Sequence, residues 1–145
     1  YTPSVTAAPS NPGLKATWHE FKGNKCSEIE KAPVNGTYPV EDVMIPKKVK
    51  GNIGLIIKGY FNAPQDDIYT FALLSDDGST LTIDSEQIVD NDGPHGPKEI
   101  VGQKALAKGY HPMELRYFDQ NGGQLKLKVT GSDGKEIPFT HLYAH

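Results

Sequence analysis

Apolar and polar residues alternate with a period of two in several short runs of the chain. In the clearest run, residues 125–130, the odd positions are Leu, Leu and Val and the even positions are Lys, Lys and Thr. Because successive side chains of a strand point to opposite faces of a sheet, this spacing predicts strands that bury one face. Residues 14–21 have the aromatic and apolar content of a further strand. The apolar positions of the remaining runs are Ile53, Leu55 and Ile57; Tyr69, Phe71 and Leu73; Leu81 and Ile83; and Met113, Leu115 and Tyr117.

Turn residues separate these runs, and helical periodicity is weak throughout. Glycine readily adopts the positive φ values that hairpin connections require. The glycines that we expect at such turns are Gly78, Gly93, Gly109, Gly122, Gly123 and Gly134. Residues 31–46 contain three prolines and an Asn-Gly pair, which predict a long irregular loop. Strands at about ten-residue spacing favour an all-β fold, an antiparallel sandwich or barrel.

The first residues differ in composition from the rest of the chain. Residues 1–13 contain Pro3, Pro9 and Pro12 among Ser, Thr, Ala and Asn, and this composition buries little apolar area. We therefore expect a Pro-rich linker over residues 1–13 that tethers the domain to a folded unit before it. The domain itself is expected over residues 14–145.

Charge and cysteine content exclude several function classes. The chain of 145 residues fits one domain, and its formal net charge of -3 comes from charges of both signs mixed along the sequence. That balance lacks the clustered Lys and Arg that bind nucleic acid or anionic membranes. No apolar run approaches the roughly 20 residues that span a bilayer. Cys26 is the single cysteine, so neither an internal disulfide nor a cysteine-rich zinc site is expected.

Three segments together resemble the PA14 domain, a family named after a fragment of anthrax protective antigen. They are residues 59–61 followed by 68–79; residues 81–84 leading into 88–95; and Leu106 followed by residues 109–112 and 115–118. The resemblance implies an antiparallel β-sandwich or barrel in a secreted, periplasmic or cell-surface protein. It also implies attachment to a carbohydrate-active enzyme, and the sequence is most similar to the appendages of bacterial β-hexosaminidase-type glycosidases. The Pro-rich start suits such a tether.

The adjacent acids Asp76 and Asp77 are the main candidate site. Neighbouring side chains of a regular strand point to opposite faces, so the two carboxylates converge only if the backbone between them is distorted, as by a cis peptide bond. Two carboxylates held together repel each other, and this arrangement indicates a cation. Calcium fits best, because it is a hard ion that takes about six to eight oxygen ligands in irregular geometry.

The resemblance implies more about this site. In the sugar-binding branch of the family, two consecutive Asp residues joined by a cis bond hold calcium with an Asn from a later loop, and sugar hydroxyls ligate the same ion. Asp76 and Asp77 match the pair, Asn121 matches the Asn, and Asp119 is a spare carboxylate beside it. The loop after Asn121 is short and lacks the bulky residues of the adhesins, so the carbonyl ligands and the sugar-selecting contacts are not carried over.

A plainer interpretation remains open, since Asp-Asp-Gly-Ser is also good turn chemistry without any metal. Asp90-Asn91-Asp92-Gly93 resembles the start of a calcium loop but lacks the later Glu, which favours a hairpin turn. Trp18 fits core packing better than stacking on a sugar ring.

Catalysis is not expected, because the chain contains no Gly-x-Ser-x-Gly elbow, phosphate-binding loop or His-Glu-x-x-His motif. The sequence therefore predicts a non-catalytic carbohydrate-binding or accessory module of a secreted bacterial glycosidase, with a glycan and an adjacent catalytic domain as partners. The alternative is a structural module that positions or shapes that catalytic domain without binding glycan itself.

Overall fold

The computed structural model describes residues 1–144, and within them the chain is built almost entirely of strands. The predicted all-β class is confirmed. Two short 3-10 helices, Cys26–Lys31 and Phe139–His141, are the helical segments of the described part. No helix among residues 1–144 has the length and apolarity needed to cross a bilayer. In chain order the strands are β1 (Asn11–Pro12), β2 (Leu14–Glu20), β3 (Val34–Val40), β4 (Asn52–Ala63), β5 (Asp67–Asp76), β6 (Ser79–Ile83), β7 (Glu86–Asn91), β8 (Lys98–Leu106), β9 (Gly109–Gln120), β10 (Gln124–Thr130), β11 (Glu136–Ile137) and β12 (Leu142–Ala144).

The strands form two packed antiparallel sheets, as predicted for a sandwich. The larger sheet has the order β1-β12-β4-β9-β6-β7, and β2 pairs with both β3 and β4 beside this path. The smaller sheet has the order β11-β10-β5-β8. Strand β4 pairs with β9 along its whole length, while its other edge is shared by β2 and β12. The long β4–β9 pair therefore forms the centre of the larger sheet.

The core lies between the two sheets and is formed by the apolar positions of the period-two runs. Phe61 of β4 packs edge to face against Tyr69 and Phe71 of β5, with ring centroids 5.3 and 5.6 Å apart. Trp18 is half-buried and packs against the same core, as expected. Burial of such large side chains stabilises the fold by about 1.5–3 kcal/mol each.

A second, smaller cluster lies on the opposite face of the larger sheet. Ile56 and Phe118 point away from the main core because they alternate with core residues along β4 and β9. The 3-10 helix Cys26–Lys31 covers them with Cys26 and Ile29, and Phe21 packs edge to face on Phe118. Burial strongly raises the pKa of the Cys26 thiol, and the negative charge of Asp92 adds to this rise. The cysteine is therefore an inert core residue.

The prediction of an irregular loop over residues 31–46 is wrong between Val34 and Val40, where the chain forms β3 and pairs with β2. Strand β3 lies at an edge of the sheet and is mostly exposed, so it carries no apolar alternation. An edge strand also tolerates Pro39, since a proline there need not donate to a ladder. Strand β8 was not expected for a related reason, because it too is an edge strand and Leu106 is its one buried residue.

The Pro-rich start lies against the domain. Asn11 and Pro12 pair with β12, and Thr2 forms a parallel bridge with Leu106 at the free edge of β8. Pro9 is buried. The division into a linker over residues 1–13 and a domain over residues 14–145 stays a prediction, but the backbone of the first segment is hydrogen-bonded to both sheets.

Candidate functional site

The loops that follow β5, β7 and β9 meet at one end of the sandwich. Asp77 lies in the first of them, and its backbone N–H donates to the carbonyl of Phe118 at 3.1 Å. Its Oδ1 accepts a hydrogen bond from the His95 N–H, and its Oδ2 accepts one from the Gln120 N–H, each at 3.1 Å. The Asp77 carboxylate therefore holds the loop after β7 and the end of β9 next to its own loop.

Asp76 is the last residue of β5, and its two polar groups have different surroundings. Its peptide bond to Asp77 is cis. Its backbone carbonyl oxygen lies 2.6 Å from the Tyr117 hydroxyl. Its carboxylate is half-exposed and makes no hydrogen bond to a group within residues 1–144. The Asp76 carboxylate oxygens are thus available to a ligand.

Asp119, at the end of β9, is buried behind the two consecutive acids. Its Oδ1 accepts a hydrogen bond from the Gly122 N–H at 3.1 Å, and its Oδ2 lies 2.7 Å from the Tyr117 hydroxyl. Burial raises the pKa of Asp119 although both hydrogen bonds favour the carboxylate, and the charges of Asp77 and Asp76 raise it further. The pKa of Tyr117 is also raised, first by burial and then by Asp119. Three acidic groups therefore share one small region.

Asn121 begins the loop after β9 and has a positive φ of 68°. Its side chain is exposed and has no hydrogen-bond partner among residues 1–144. The hydrogen bond from the Gly122 N–H to Asp119 holds this loop next to the acidic cluster. The structure therefore brings Asp76, Asp77 and Asp119 together and places Asn121 at the start of the loop that Asp119 holds.

The donor set is made of oxygen atoms, which hard cations such as calcium prefer. No group of three or more His, Cys, Asp or Glu side chains within residues 1–144 is arranged around one metal position. A cation at this site would therefore use two carboxylates, the Asn121 amide oxygen and backbone oxygens. That set fits calcium, which accepts carbonyl ligands and irregular geometry, and it does not fit zinc, which prefers nitrogen and sulfur.

Several residues of the site were not found from the sequence. The His95 and Gln120 backbone N–H groups hold Asp77, and a backbone donor leaves no signature in the residue type. The His95 ring is itself fixed, because Nδ1 lies 2.7 Å from the Gly96 carbonyl and Nε2 lies 2.8 Å from the Asn91 carbonyl. Tyr117 matched a core position in the period-two pattern, which gave no sign of its polar role at the hydroxyl.

Two glycines shape the site by close approach. A Cβ on Gly123 would lie 2.0 Å from the Asp76 carbonyl oxygen and 2.4 Å from the Tyr117 hydroxyl. A Cβ on Gly78 would lie 2.5 Å from the Phe118 ring. The prediction of a positive φ is wrong at Gly78 and Gly123. It is confirmed at Gly93, Gly109, Gly122 and Gly134. The loops pack so tightly that a side chain is excluded at both positions.

The stretch that resembled the start of a calcium loop has a structural role. The Asn91 side chain is buried and donates to the carbonyls of Leu73 and Lys98 at 3.2 and 2.8 Å. The Asp92 carboxylate accepts a hydrogen bond from the Cys26 N–H at 3.0 Å. These contacts join the end of β7 to two strands of the smaller sheet and to the 3-10 helix.

A family model for the PA14 domain matches residues 10–139. The chain belongs to the PA14 family. No curated protein sequence matches it. Among solved structures, this PA14 domain is similar to a PA14 sugar-binding domain from an RTX adhesin, with a TM-score of 0.78 and 17% identity over 94% of this chain and 100% of the other.

Two further structures have the same fold. The PA14 domain of the antifreeze protein MpAFP matches with a TM-score of 0.78 and 12% identity over 97% of this chain and 94% of the other. The epithelial adhesin 9 A domain from Candida glabrata, in complex with Galb1-3GlcNAc, matches with a TM-score of 0.69 and 14% identity over 97% and 94%. At these identities the likeness shows the fold of the domain.

Proposed function

We propose that this PA14 domain is a non-catalytic carbohydrate-binding module that recognises sugar hydroxyls at a calcium site formed by Asp76, Asp77 and Asn121. The observation that carries the proposal is the difference between the two consecutive acids. Asp77 is fixed by two backbone N–H groups, whereas the Asp76 carboxylate lies beside it with no hydrogen bond among residues 1–144. A pair of like charges held in this way is stabilised by a bound cation.

The chain's own residues take distinct roles in this proposal. Asp76 and Asp77 supply carboxylate oxygens, and Asn121 supplies an amide oxygen from the opposite loop. Asp119 is buried behind the pair and accepts a hydrogen bond from the Gly122 N–H, so we propose that it positions the Asn121 loop from behind. Calcium, when bound, supplies coordination positions that sugar hydroxyls fill.

The binding of sugars by domains of the same fold supports this function. One structural neighbour is described as sugar-binding and another is in complex with Galb1-3GlcNAc. Both are adhesin domains, and a sugar-binding role at a surface agrees with the expected secreted, periplasmic or cell-surface location. The identity of the sugar depends on the short loop of residues 121–123, which offers an amide and two glycines where a longer loop would offer bulky contacts.

A second candidate function has its own supporting observation. The chain is similar to part of a β-glucosidase from Kluyveromyces marxianus in complex with glucose, with a TM-score of 0.64 and 16% identity, and it spans 18% of that longer chain. A module of this fold therefore occurs inside a glycosidase. In this alternative the domain, attached to a catalytic domain such as a bacterial β-hexosaminidase, positions or shapes that neighbour and binds no glycan itself.

Isothermal titration separates the two functions. The domain is titrated with free monosaccharides and with mucin-type and chitin fragments, each in calcium and in EDTA. We expect heat of binding with at least one glycan in calcium only. The variant Asp76→Asn removes a charge without removing a hydrogen bond of the fold, and we expect it to abolish that heat.

Asp133→Asn provides the matched control. Asp133 undergoes the same chemical change in the turn after β10, and an Asn oxygen can still accept from the Lys135 N–H, which lies 2.9 Å away. We expect this variant to bind as the unmodified domain does. Binding that persists in EDTA or in Asp76→Asn would contradict the calcium site, and no heat with any glycan would favour the structural module.

A further inference from the structure

A cleft of about 510 Å³ lies on the outer face of the larger sheet, away from the Asp76–Asp77 loops. We call it the basic cleft. Along β9, Glu114 of the cleft is five residues before Asp119, which corresponds to roughly 17 Å along a strand. The two regions are therefore separate. The polar residues that line the basic cleft are Lys15, Lys58, Tyr60, Thr82, Ser85 and Glu114.

Four of these residues form one row across four neighbouring strands. Lys15 of β2 is opposite Lys58 of β4, and Lys58 is opposite Glu114 of β9. Glu114 is in turn opposite Thr82 of β6. Directly opposed residues have Cβ atoms about 4.5–5.5 Å apart, so the two lysines are held side by side by the register of the sheet.

The row carries more positive than negative charge. Glu114 is its one carboxylate, and this group is shared between Lys58 at 3.5 Å and Arg116 at 3.0 Å. Lys15 forms no ion pair with any residue between 1 and 144. Like charges placed directly opposite each other destabilise a sheet, and an anion between the two ammonium groups removes that repulsion.

The remaining lining groups suit a sugar ring. Thr82 and Ser85 offer hydroxyls. The Glu114 carboxylate oxygens have further lone pairs that can accept a hydrogen bond from a sugar hydroxyl. Tyr60 and Pro112, which are opposite each other in the β4–β9 pair, offer flat apolar surface for the C–H face of a pyranose. The cleft thus combines two cations with hydroxyls and apolar rings.

We propose that the basic cleft binds a hexuronic acid residue of an acidic polysaccharide. The uronate carboxylate accepts hydrogen bonds from the ammonium groups of Lys15 and Lys58, which are stronger than neutral ones. The ring hydroxyls reach Thr82, Ser85 and Glu114. This site is independent of the calcium site, because none of its residues belongs to the three loops.

The test is titration of the domain with oligogalacturonate at low ionic strength in EDTA. EDTA removes calcium, so the outcome does not depend on the proposed function. Two probes separate the contribution of the carboxylate charge from that of the sugar ring. The methyl ester of the same oligosaccharide keeps the hydroxyls without the charge. Polyglutamate of equal length keeps the charge without the sugar. We expect the ester and polyglutamate to bind at least about tenfold more weakly than oligogalacturonate.

The double variant Lys15→Gln/Lys58→Gln tests the residues. We expect its affinity for oligogalacturonate to fall at least about tenfold, whereas the control Lys22→Gln/Lys31→Gln, with two exposed lysines elsewhere, should bind within about twofold of the unmodified domain. Thermal melting confirms that both variants are folded. Absence of binding by the unmodified domain, equal loss in both double variants, or polyglutamate binding as tightly as the uronate would each overturn the proposal.

Discussion

Asp77 and Gln120 are joined by a hydrogen bond in which the Gln120 backbone N–H donates to Asp77 Oδ2 at 3.1 Å. The two residues are 43 positions apart in the chain. The other oxygen of the same carboxylate accepts from the His95 N–H. Asp76, its direct neighbour, makes no such bond among residues 1–144. The fold therefore uses the Asp77 carboxylate to hold loops, whereas the Asp76 carboxylate has no hydrogen bond among residues 1–144.

This division predicts different effects of the two substitutions on stability in EDTA. Asp77→Asn turns one acceptor into a donor that faces a backbone N–H, and we expect a loss of about 1–3 kcal/mol in the free energy of unfolding. Asp76→Asn removes a negative charge near Asp77 and Asp119, so its stability should be unchanged within about 0.5 kcal/mol or slightly raised. Urea unfolding measures both, and equal losses would contradict the assigned roles.

Calcium is expected to raise the melting temperature of the domain. A ligand that binds only the folded state adds about 2.7 kcal/mol at about 100 times its Kd. Asp76→Asn and Asp77→Ala should abolish the rise, and Asn121→Ala should reduce it, while Asp133→Asn should keep it. Magnesium, which demands near-octahedral geometry, should act more weakly. An unchanged melting curve of the unmodified domain at millimolar calcium would contradict the proposed calcium site.

The strands that alternation predicted are those in which every second side chain faces the main core. The residues that alternation identified in β5, β9 and β10 all belong to the main core or pack against it: Tyr69, Phe71, Leu73, Met113, Leu115, Tyr117, Leu125, Leu127 and Val129. Edge strands lack this constraint. Val34 in β3 and Val101 in β8 are 57% and 54% exposed, so their apolar character does not mark a core face.

The acidic pair was found from adjacency, because two consecutive carboxylates are an unusual local feature. Its surroundings depend on pairings that have no local signal. His95 and Gln120 contribute backbone N–H groups from 18 and 43 residues away, and any residue type except proline could supply them. The glycine at position 123 was expected for its backbone freedom, whereas the approach of the Asp76 carbonyl is what excludes a side chain there.

Gly123→Ala should therefore disturb the site as well as the fold. Its Cβ would meet the Asp76 carbonyl at 2.0 Å and the Tyr117 hydroxyl at 2.4 Å, so the backbone must move. We expect a loss of about 1–3 kcal/mol, typical of overpacking, and a smaller rise of the melting temperature with calcium. Gly96→Ala is the control, because nothing lies within 4 Å of its Cβ position. It should change stability by less than about 0.5 kcal/mol.

Asp67 provides a pH-dependent contribution to stability at the opposite end of β5. Its Oδ1 accepts from the Ile68 N–H at 2.8 Å and its Oδ2 accepts from the Ser132 N–H at 3.1 Å. The hydrogen bonds from Ser132, its side chain first, lower the pKa of Asp67 in the folded state. The folded domain thus binds this proton less tightly than the unfolded chain, in which the pKa of Asp is about 3.9.

The stabilisation from Asp67 is therefore present above about pH 4 and is lost as the pH falls through its folded pKa. Asp67→Asn should be less stable than the unmodified domain at pH 7, and the difference should shrink steadily below about pH 4. Urea unfolding at a series of pH values from about pH 7 down to about pH 2 measures this difference. The change of Asp133 to Asn serves as the control, since its exposed carboxylate lies in the neighbouring turn. A difference between Asp67→Asn and the unmodified domain that stays constant down to pH 2 would show that the hydrogen bonds to Ser132 do not depend on the charge of Asp67.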